Sequence, residues 1–546
     1  MNRSAGAEVA SYVYTPLSQP RAIRVATILP GERTDPVHVA LQEHNLDDEN
    51  LQYEAVSYCW GSVHRTSQVI CDNQAIMVTE NLIAALLRFR NPTEERILWI
   101  DSICINQNAI DERNHQVKLM GNVYQNASRV LVWLGEEDET TELAYSCMQA
   151  YFELKEPNVW REFESASRKI RGSAAWDKNN RTLSMLKSNP AEIAAVQALL
   201  DRPWFSRAWT FQEGRLSRET LVVTGSYEIH GSSISKIQDG IVALNIEVGF
   251  CLFGDAFLKS VIRLYFLFNP KFTISDIPEP DFWEGMSFLL TIRRGAEARD
   301  PRDVVYSLIG IASLTSALEI EPDYGTSWER LYTSLAKQFI CKSRHLGQLA
   351  AVTQYSATQL CLPTWVPDWR QPFPSSRVST PDHCGLPREY YASGSSRVAI
   401  SHNDDPARLQ LRGLRCDEVG RISVSKVEIN AVPTRDHLWS ANISNDELTN
   451  FMTSGGLLGI GPHHLKVGDH IFVFLGGEVP HLLRKTEAET EYAFVGECHV
   501  HGLMKGEALL KARKMADPNY DLGDTEWLDQ LHEGEIPFST EEVVIR

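Results

Sequence analysis

The chain has 546 residues, with 53 Lys+Arg against 71 Asp+Glu and a formal net charge of −18. A hydrophobic share of 43% with 23% charged residues excludes an intrinsically disordered chain. At roughly 150 residues per domain the length suggests about three to four domains' worth of material. The acidic balance argues against a dedicated nucleic-acid binder, whose phosphate contacts need a basic face, though it leaves room for a local basic patch. Ten cysteines are spread singly, none within a CxxC, which excludes the common zinc-finger spacings and gives no disulfide framework. The opening residues lack the apolar run of a signal peptide. Leu244–Phe268, the most apolar long stretch, is interrupted by Glu247, Asp255, Lys259 and Arg263 and reads as buried core rather than a membrane span. A soluble, cytoplasmic protein is expected.

In chain order, Ile23–Leu29 reads as a strand ended by Pro30-Gly31, and Tyr53–Tyr58 as a second that closes on Trp60-Gly61. Thr79 suits an N-cap for a helix Glu80–Arg90, with Leu82, Leu86 and Phe89 on one stripe. Ile97–Ile100 and Val130–Leu134 are continuous apolar runs, the mark of strands buried on both faces. Between them Asp111 should cap a helix Glu112–Asn126. Strand, helix, strand at these spacings describes a βαβ unit with a parallel sheet. Helical material continues from Thr141 to about Arg171, and residues 225–350 look mainly helical. Beyond 385 the pattern turns β-like at Arg408–Gly413, Gly420–Val427, His470–Leu475 and Tyr492–His501. From Asp517 onward nine acidic residues stand against one basic, so the tail reads as solvated. The expected organisation is an α/β domain over 11–225 with its motifs at 53–215, a helical region 226–370, a mostly β region 385–516 and an acidic tail 517–546.

The sequence contains no phosphate loop, dinucleotide fingerprint, HExxH or GxSxG elbow. His499 and His501 would share one strand face, but with no third ligand a structural pair is the better reading and no metal is expected. Cys104 with His115 could pair as nucleophile and base, yet Cys104 lies between Ile103 and Ile105, where inert thiols are common.

Three segments are denser in polar and aromatic residues than packing requires. Ser57-Tyr58-Cys59-Trp60-Gly61 ends a strand, where α/β sheets line their ligand crevice. Trp60 offers a stacking surface or simply plugs the sheet edge; Gly61 permits a tight turn. Asp101 follows a buried strand directly, so its carboxylate needs a partner or a ligand, and Asn106 and Gln107 could orient it. Glu112 sits in the first turn of the next helix, where the dipole favours an acid. In the third segment, Arg202–Arg215, Pro203 suits a helix start and Gly214 a helix end. Trp209 and Glu213 are four apart on one helical face, and Arg202, Arg207, Arg215 and Arg218 cluster nearby. A carboxylate beside an aromatic wall with arginines in reach suits a nucleotide with a cleavable glycosidic bond. A Trp/Phe-rich packing helix with surface ion pairs is the alternative.

These segments, SYCWG (57–61), LWIDSICINQNAIDERNHQVKLMGNVYQNASRVLVWLG (98–135) and RPWFSRAWTFQE (202–213), resemble in this order the three blocks of the fungal heterokaryon-incompatibility (HET) domain. Residues 299–312, 362–369 and 494–509 resemble segments that recur after it in large HET proteins. The departures are Cys59, where a hydrophobic residue or Thr is common, and Thr210-Phe211, where aliphatic residues are common. The resemblance implies non-self recognition after hyphal fusion, ending in growth arrest or programmed cell death. The block order is also similar to that of Toll/interleukin-1-receptor-like (TIR) domains, which implies a flavodoxin-like parallel sheet.

On that likeness Trp204, Trp209 and Glu213 fall where NAD-cleaving TIR enzymes carry a tryptophan and the catalytic glutamate. Glu213 would then be catalytic, and Ser57, Trp60, Gly61, Asp101, Arg207 and Trp209 would hold substrate. NAD would be the substrate, with no cofactor required. TIR enzymes act as assemblies, which implies self-association through the HET domain and a cognate recognition protein as partner. The alternative is a non-catalytic signalling adaptor that assembles homotypically, its Trp and Arg serving as interface anchors.

Overall fold

Short apolar runs set the centre of the N-terminal sheet. The computed structural model describes residues 9–61, 64–153, 190–234, 286, 289–290, 293–309, 311, 320–352, 361–371, 390–398, 405–423, 448–488, 490–531 and 536–546. The chain divides into two units, Met1–Thr273 with Ala296–Tyr324, and Ile274–Gly295 with Gly325–Arg546.

The first unit carries strands β1 (Ala22–Ile28), β2 (His38–Asn45), β3 (Glu54–Tyr58), β4 (Ser67–Cys71), β5 (Gln74–Val78), β6 (Arg96–Trp99), β7 (Val130–Trp133), β8 (Thr220–Thr224) and β9 (Tyr227–His230). They form one sheet in the order β5-β4-β2-β1-β6-β3-β7-β8-β9. The four central strands β6, β3, β7 and β8 run parallel. Every residue of β7 and β8 is buried, which their continuous apolar sequences require of strands covered on both faces.

The sheet as a whole is mixed, unlike the parallel sheet expected. β1 is antiparallel to both β2 and β6, and hairpins β4–β5 and β8–β9 add antiparallel strands at both ends. A two-residue turn can connect antiparallel neighbours, whereas parallel strands need a long crossover. The β4–β5 turn does this with Asp72 and Asn73, both in the left-handed region (φ 49° and 61°), as a type I′ hairpin turn demands. β2, β4 and β5 escaped the sequence reading because their faces are partly exposed and lack a continuous apolar run.

Thr79 caps Glu80–Phe89 as expected, its side chain accepting from Leu82 N–H. The next long helix begins earlier than its acidic residues suggested: it spans Ile110–Asn126 with Ala109 at the N-cap. Asp111 therefore lies in the first turn rather than at the cap, where its charge still meets the helix dipole favourably. The helix expected from Thr141 to Arg171 is described over Thr141–Glu153; its remainder, like Leu244–Phe268, lies outside the described residues. Among the described residues no helix is long and apolar enough to cross a membrane.

The second unit carries helix Trp328–Ser343 and an eight-stranded sheet. Its strands are β10 (Leu409–Ile422), β11 (Leu448–Thr453), β12 (Leu458–Pro462), β13 (His470–Phe474), β14 (His481–Lys485), β15 (Glu491–Glu497), β16 (His499–Val500) and β17 (Glu541–Ile545). β13 pairs with β10 as well as β14, so β13-β14-β15-β17-β10 close into a ring around a core that includes Ile471, Val473, Leu482 and Val495. The acidic tail is not simply solvated. It supplies β17, which lies between β10 and β15 with Val543 and Ile545 buried. Two alternating apolar residues decide the fate of that strand against a strongly acidic surrounding.

On the face opposite that core His481 packs against Phe474 and Phe494 and is fully buried. Burial pushes its pKa down to about 3, and His464, also held down mainly by burial, has its pKa pushed down to about 4. Both are neutral in the folded chain at pH 5, while the unfolded chain would be protonated there. Their folded-state pKa values are depressed, so the stability tied to them is present above about pH 6.5 and is lost as pH falls towards 4. From pH 7 to pH 5 His481 alone should remove about 2 kcal/mol. On acidification from pH 7 to pH 5 the parent should therefore lose thermal stability faster than His481→Phe, the variant showing the flatter pH dependence.

Candidate functional site

The polar side chains of the first unit gather at the carboxyl ends of β3 and β6, the end at which open α/β sheets hold ligands. Ser57 is the penultimate residue of β3 and is completely buried. Asp101 follows β6 after Ile100 and opens a one-turn helix, Asp101–Cys104. The third segment forms two short pieces rather than one helix. A 3₁₀ turn Pro203–Phe205 has Pro at its first position, and a helix Thr210–Arg215 has Trp209 as its N-cap residue.

One hydroxyl joins these elements. Ser57 Oγ donates to Glu213 Oε2 and accepts the indole N–H of Trp204 at 2.7 Å, using both its donor and its acceptor capacity. Glu213 is 4% exposed. Burial pushes its pKa up to about 7, against the Arg207 charge and the Ser57 hydrogen bond, while the Asp101 charge adds to the rise. Arg207 donates to Tyr58 O. Burial works against its charge, but Glu213, Cys59 and Asp101 hold it protonated. Asp101 accepts the Trp60 indole N–H at 2.8 Å and the Ser102 N–H at 2.7 Å. Burial raises its pKa and the Arg207 charge opposes the rise. Two carboxylates thus share one guanidinium in a largely desolvated setting. A carboxylate that changes charge near neutrality can move a proton or stabilise a developing cation.

Ser57, Asp101, Arg207 and Glu213 are therefore in one cluster, and Trp60 joins it through Asp101. Gly61 follows with φ +71°, a backbone state that a side chain would strain. The Arg65 guanidinium lies 5.7 Å from the centre of the Trp60 ring. The indole N–H that reaches the Ser57–Glu213 pair is that of Trp204, bonded to Ser57 Oγ, not that of Trp209.

Other candidates have structural duties. Gln107 donates to the Asp101 main-chain carbonyl rather than its carboxylate, at 2.8 Å, and Asn106 Oδ1 accepts from Asn108 N–H. Glu112 pairs with Arg24 at 2.6 Å and accepts Asn106 N–H at 2.8 Å, going beyond a helix-dipole role. Arg202 donates to Leu134 O and Glu136 O and pairs with Asp138, so its guanidinium fixes the chain after β7. Cys104 is buried and its pKa is pushed up to about 12, chiefly by burial, while His115 bonds Pro20 O, so the two do not pair. His499 packs edge-on against Tyr390. Among the described residues no group of three His, Cys, Asp or Glu could hold a metal. The sequence offered no signal for the Tyr58 carbonyl as the acceptor of Arg207, because that contact joins distant segments.

A sheet that positions these three blocks around one crevice defines a class. Residues 53–213 match the family described as heterokaryon incompatibility protein (HET), and residues 434–517 match the Het-6 beta-barrel domain. The chain therefore carries a fungal heterokaryon-incompatibility domain. It is similar to heterokaryon incompatibility protein 6, OR allele, of Neurospora crassa, at 25% identity over 363 residues, 58% of this chain and 53% of that protein. The match thus spans about half the length of that relative. No solved structure matches the chain.

Replacing Ser57 by Ala removes the donor to Glu213 and leaves the buried Trp204 N–H without its acceptor. The expected cost is about 1–3 kcal/mol of stability, read by denaturant unfolding. Because the lost hydrogen bond favoured the charged carboxylate, the Glu213 midpoint should also rise above its parent value.

Proposed function

We propose that this chain is an effector of fungal non-self recognition that triggers cell death, and that its N-terminal site hydrolyses the nicotinamide–ribose bond of NAD. The observation that carries the reading is Glu213: a buried carboxylate with its pKa raised to about 7, held by Ser57 beside Arg207 and Asp101 at the carboxyl ends of two parallel strands. The order of the central parallel strands in chain sequence, second-first-third-fourth, is that of flavodoxin-like sheets and supports relating the domain to TIR domains. The Neurospora relative's name supports the incompatibility role. The effector would be cytoplasmic, self-associate through its HET domain and answer to a cognate recognition protein.

In this mechanism the C1′–N bond breaks heterolytically and its electron pair leaves on nicotinamide. The ribose gains oxocarbenium character, which ionised Glu213 stabilises in a water-poor setting. Water then forms the new C1′–O bond, and its proton passes to the Glu213 carboxylate and on to solvent. Arg207 keeps Glu213 charged when needed, and Trp60, tethered to Asp101, offers a ring face to the nucleotide. The two carboxylates against one guanidinium favour a cationic ring.

Glu213 must be ionised to act, so kcat/KM for NAD should rise with pH along a limb centred near 7, the value of the free protein. Glu213→Gln keeps size and shape while removing the charge. It should lower NAD consumption roughly 10²–10³-fold, about 3–4 kcal/mol of transition-state stabilisation, and abolish cell death, with the unfolding midpoint little changed.

The burial of Glu213, with its carboxylate already bonded within the fold, favours a second reading: a non-catalytic adaptor that assembles through the domain. A Gln variant that folds and still kills cells without consuming NAD would select that reading, and one that consumes NAD at the parent rate would reject the enzymatic one.

A further inference from the structure

Strand β3 ends at Tyr58, which lies beside Trp133, the last residue of β7. Past this point the main chain leaves the sheet, and side chains hold its carbonyls from two directions. Arg207 donates to Tyr58 O, and Asn81 Nδ2 donates to Cys59 O at 2.7 Å. A main-chain carbonyl that leaves a ladder needs such a donor when water is limited.

Asn81 lies in the first turn of helix Glu80–Phe89, and its Oδ1 accepts the Trp133 indole N–H at 2.9 Å. An indole can only donate and a carbonyl can only accept, so the two partners fix which way the amide faces. Trp133 is fully buried, and Phe89 at the far end of the same helix packs edge-on against it, with ring centres 6.1 Å apart. Both ends of the helix are thus fastened to the end of β7, and Asn81 carries that anchorage across to the residue after β3.

The turn held in this way is the one that bears Trp60. The Cys59 carbonyl and the Trp60 nitrogen belong to one planar peptide, so holding the oxygen orients the plane from which the Trp60 side chain departs. On the other side of Trp60, Asn81 Cβ is 3.9 Å from the point at which a Gly61 side chain would begin. Just before β4, Thr66 Oγ1 donates to Glu80 Oε1 at 3.2 Å, so the start of this helix meets both arms of the β3–β4 connection. From the turn the Trp60 indole reaches Asp101 at 2.8 Å.

We propose that Asn81 is a positioning residue for the Trp60–Asp101 pair: by holding the Cys59–Trp60 peptide against the end of β7 it sets where the Trp60 indole meets Asp101. One side of the cluster formed by Ser57, Asp101, Arg207 and Glu213 then depends on a helix that contributes no group to it. Asn81 itself touches none of the reacting groups.

The claim is independent of the substrate, and its test needs no turnover. Full-length protein is labelled with ¹⁵N-tryptophan, and the Trp60 and Trp204 indole signals are identified by their loss in Trp60→Phe and Trp204→Phe. Hydrogen exchange at each indole reports its own bond, Trp60 to Asp101 and Trp204 to Ser57. Asn81→Ala removes both amide bonds, whereas Asn81→Asp removes only the donation to Cys59 O and keeps an acceptor for Trp133. Both should speed exchange at Trp60 roughly fivefold or more, the factor that one ordinary hydrogen bond carries, and leave Trp204 at the parent rate. Parent exchange at Trp60 in both variants, alongside lowered thermal stability, would reduce Asn81 to a merely structural role and overturn the proposal. Equal acceleration at Trp60 and Trp204 would overturn it too, as general loosening. An effect in Asn81→Asp alone would belong to the new charge, and one in Asn81→Ala alone to the Trp133 bond; either result rejects the proposal. If Asn81→Ala does not fold, Asn81→Ser, uncharged and too short to span both partners, takes its place.

Discussion

The N-terminal unit is organised around the burial of one carboxylate. Glu213 and Ser57 are 156 residues apart, and their hydrogen bond joins the carboxyl end of β3 to the third block. Removing a carboxylate from water costs several kcal/mol unless charge or hydrogen bonds compensate. Here the compensation is divided: Ser57 donates, Arg207 supplies opposite charge, and Asp101 works against both. Burial outweighs the compensation, and the group is left poised between protonated and ionised at neutral pH. A structural ion pair would be expected to settle well below that range, as Glu112 does beside Arg24, where burial is outweighed by the hydrogen bonds from Arg24 and Asn106 N–H.

The sheet makes this burial affordable in geometric terms. β7 and β8 are completely buried, and Trp204, Trp99 and Trp133 fill the interior around them. Ser57 therefore sits near the carboxyl end of a central strand of a buried layer, not on a loop. The flanking antiparallel strands protect the sheet: the outer strand β5 is covered by Ala10–Tyr12, with Tyr12 N–H donating to Ala75 O at 3.0 Å. An exposed strand edge would otherwise invite pairing with another chain. The closed ring of the second unit answers the same problem differently, by returning β13 to β10.

Much of this is legible in the amino-acid sequence. β3, β6 and β7 announced themselves as continuous apolar runs, and Asp101 could be placed at the crevice because it follows one of them directly. Glu213 stood out as an acid beside tryptophans in a basic stretch. The partners of these residues were less accessible. That Trp204 rather than Trp209 bonds Ser57 goes with the break between Phe205 and Thr210, which splits the expected helix. The segment Ala296–Tyr324 joins the N-terminal unit from far along the chain, and nothing in its local pattern reports that return. β17 was hidden for a compositional reason, because two buried apolar residues are easily lost in an acidic tail.

The central claim, that Glu213 is a buried carboxylate set near neutrality to meet a cationic nucleotide, is tested most directly by titrating its carboxyl carbon in the parent protein with and without NAD. The account predicts a midpoint near 7 for the free protein and a lower one with NAD bound, since a nearby positive ring favours the ionised form. A midpoint near 4.5, the ordinary value for a glutamate, or a midpoint that saturating NAD leaves unmoved, would contradict it.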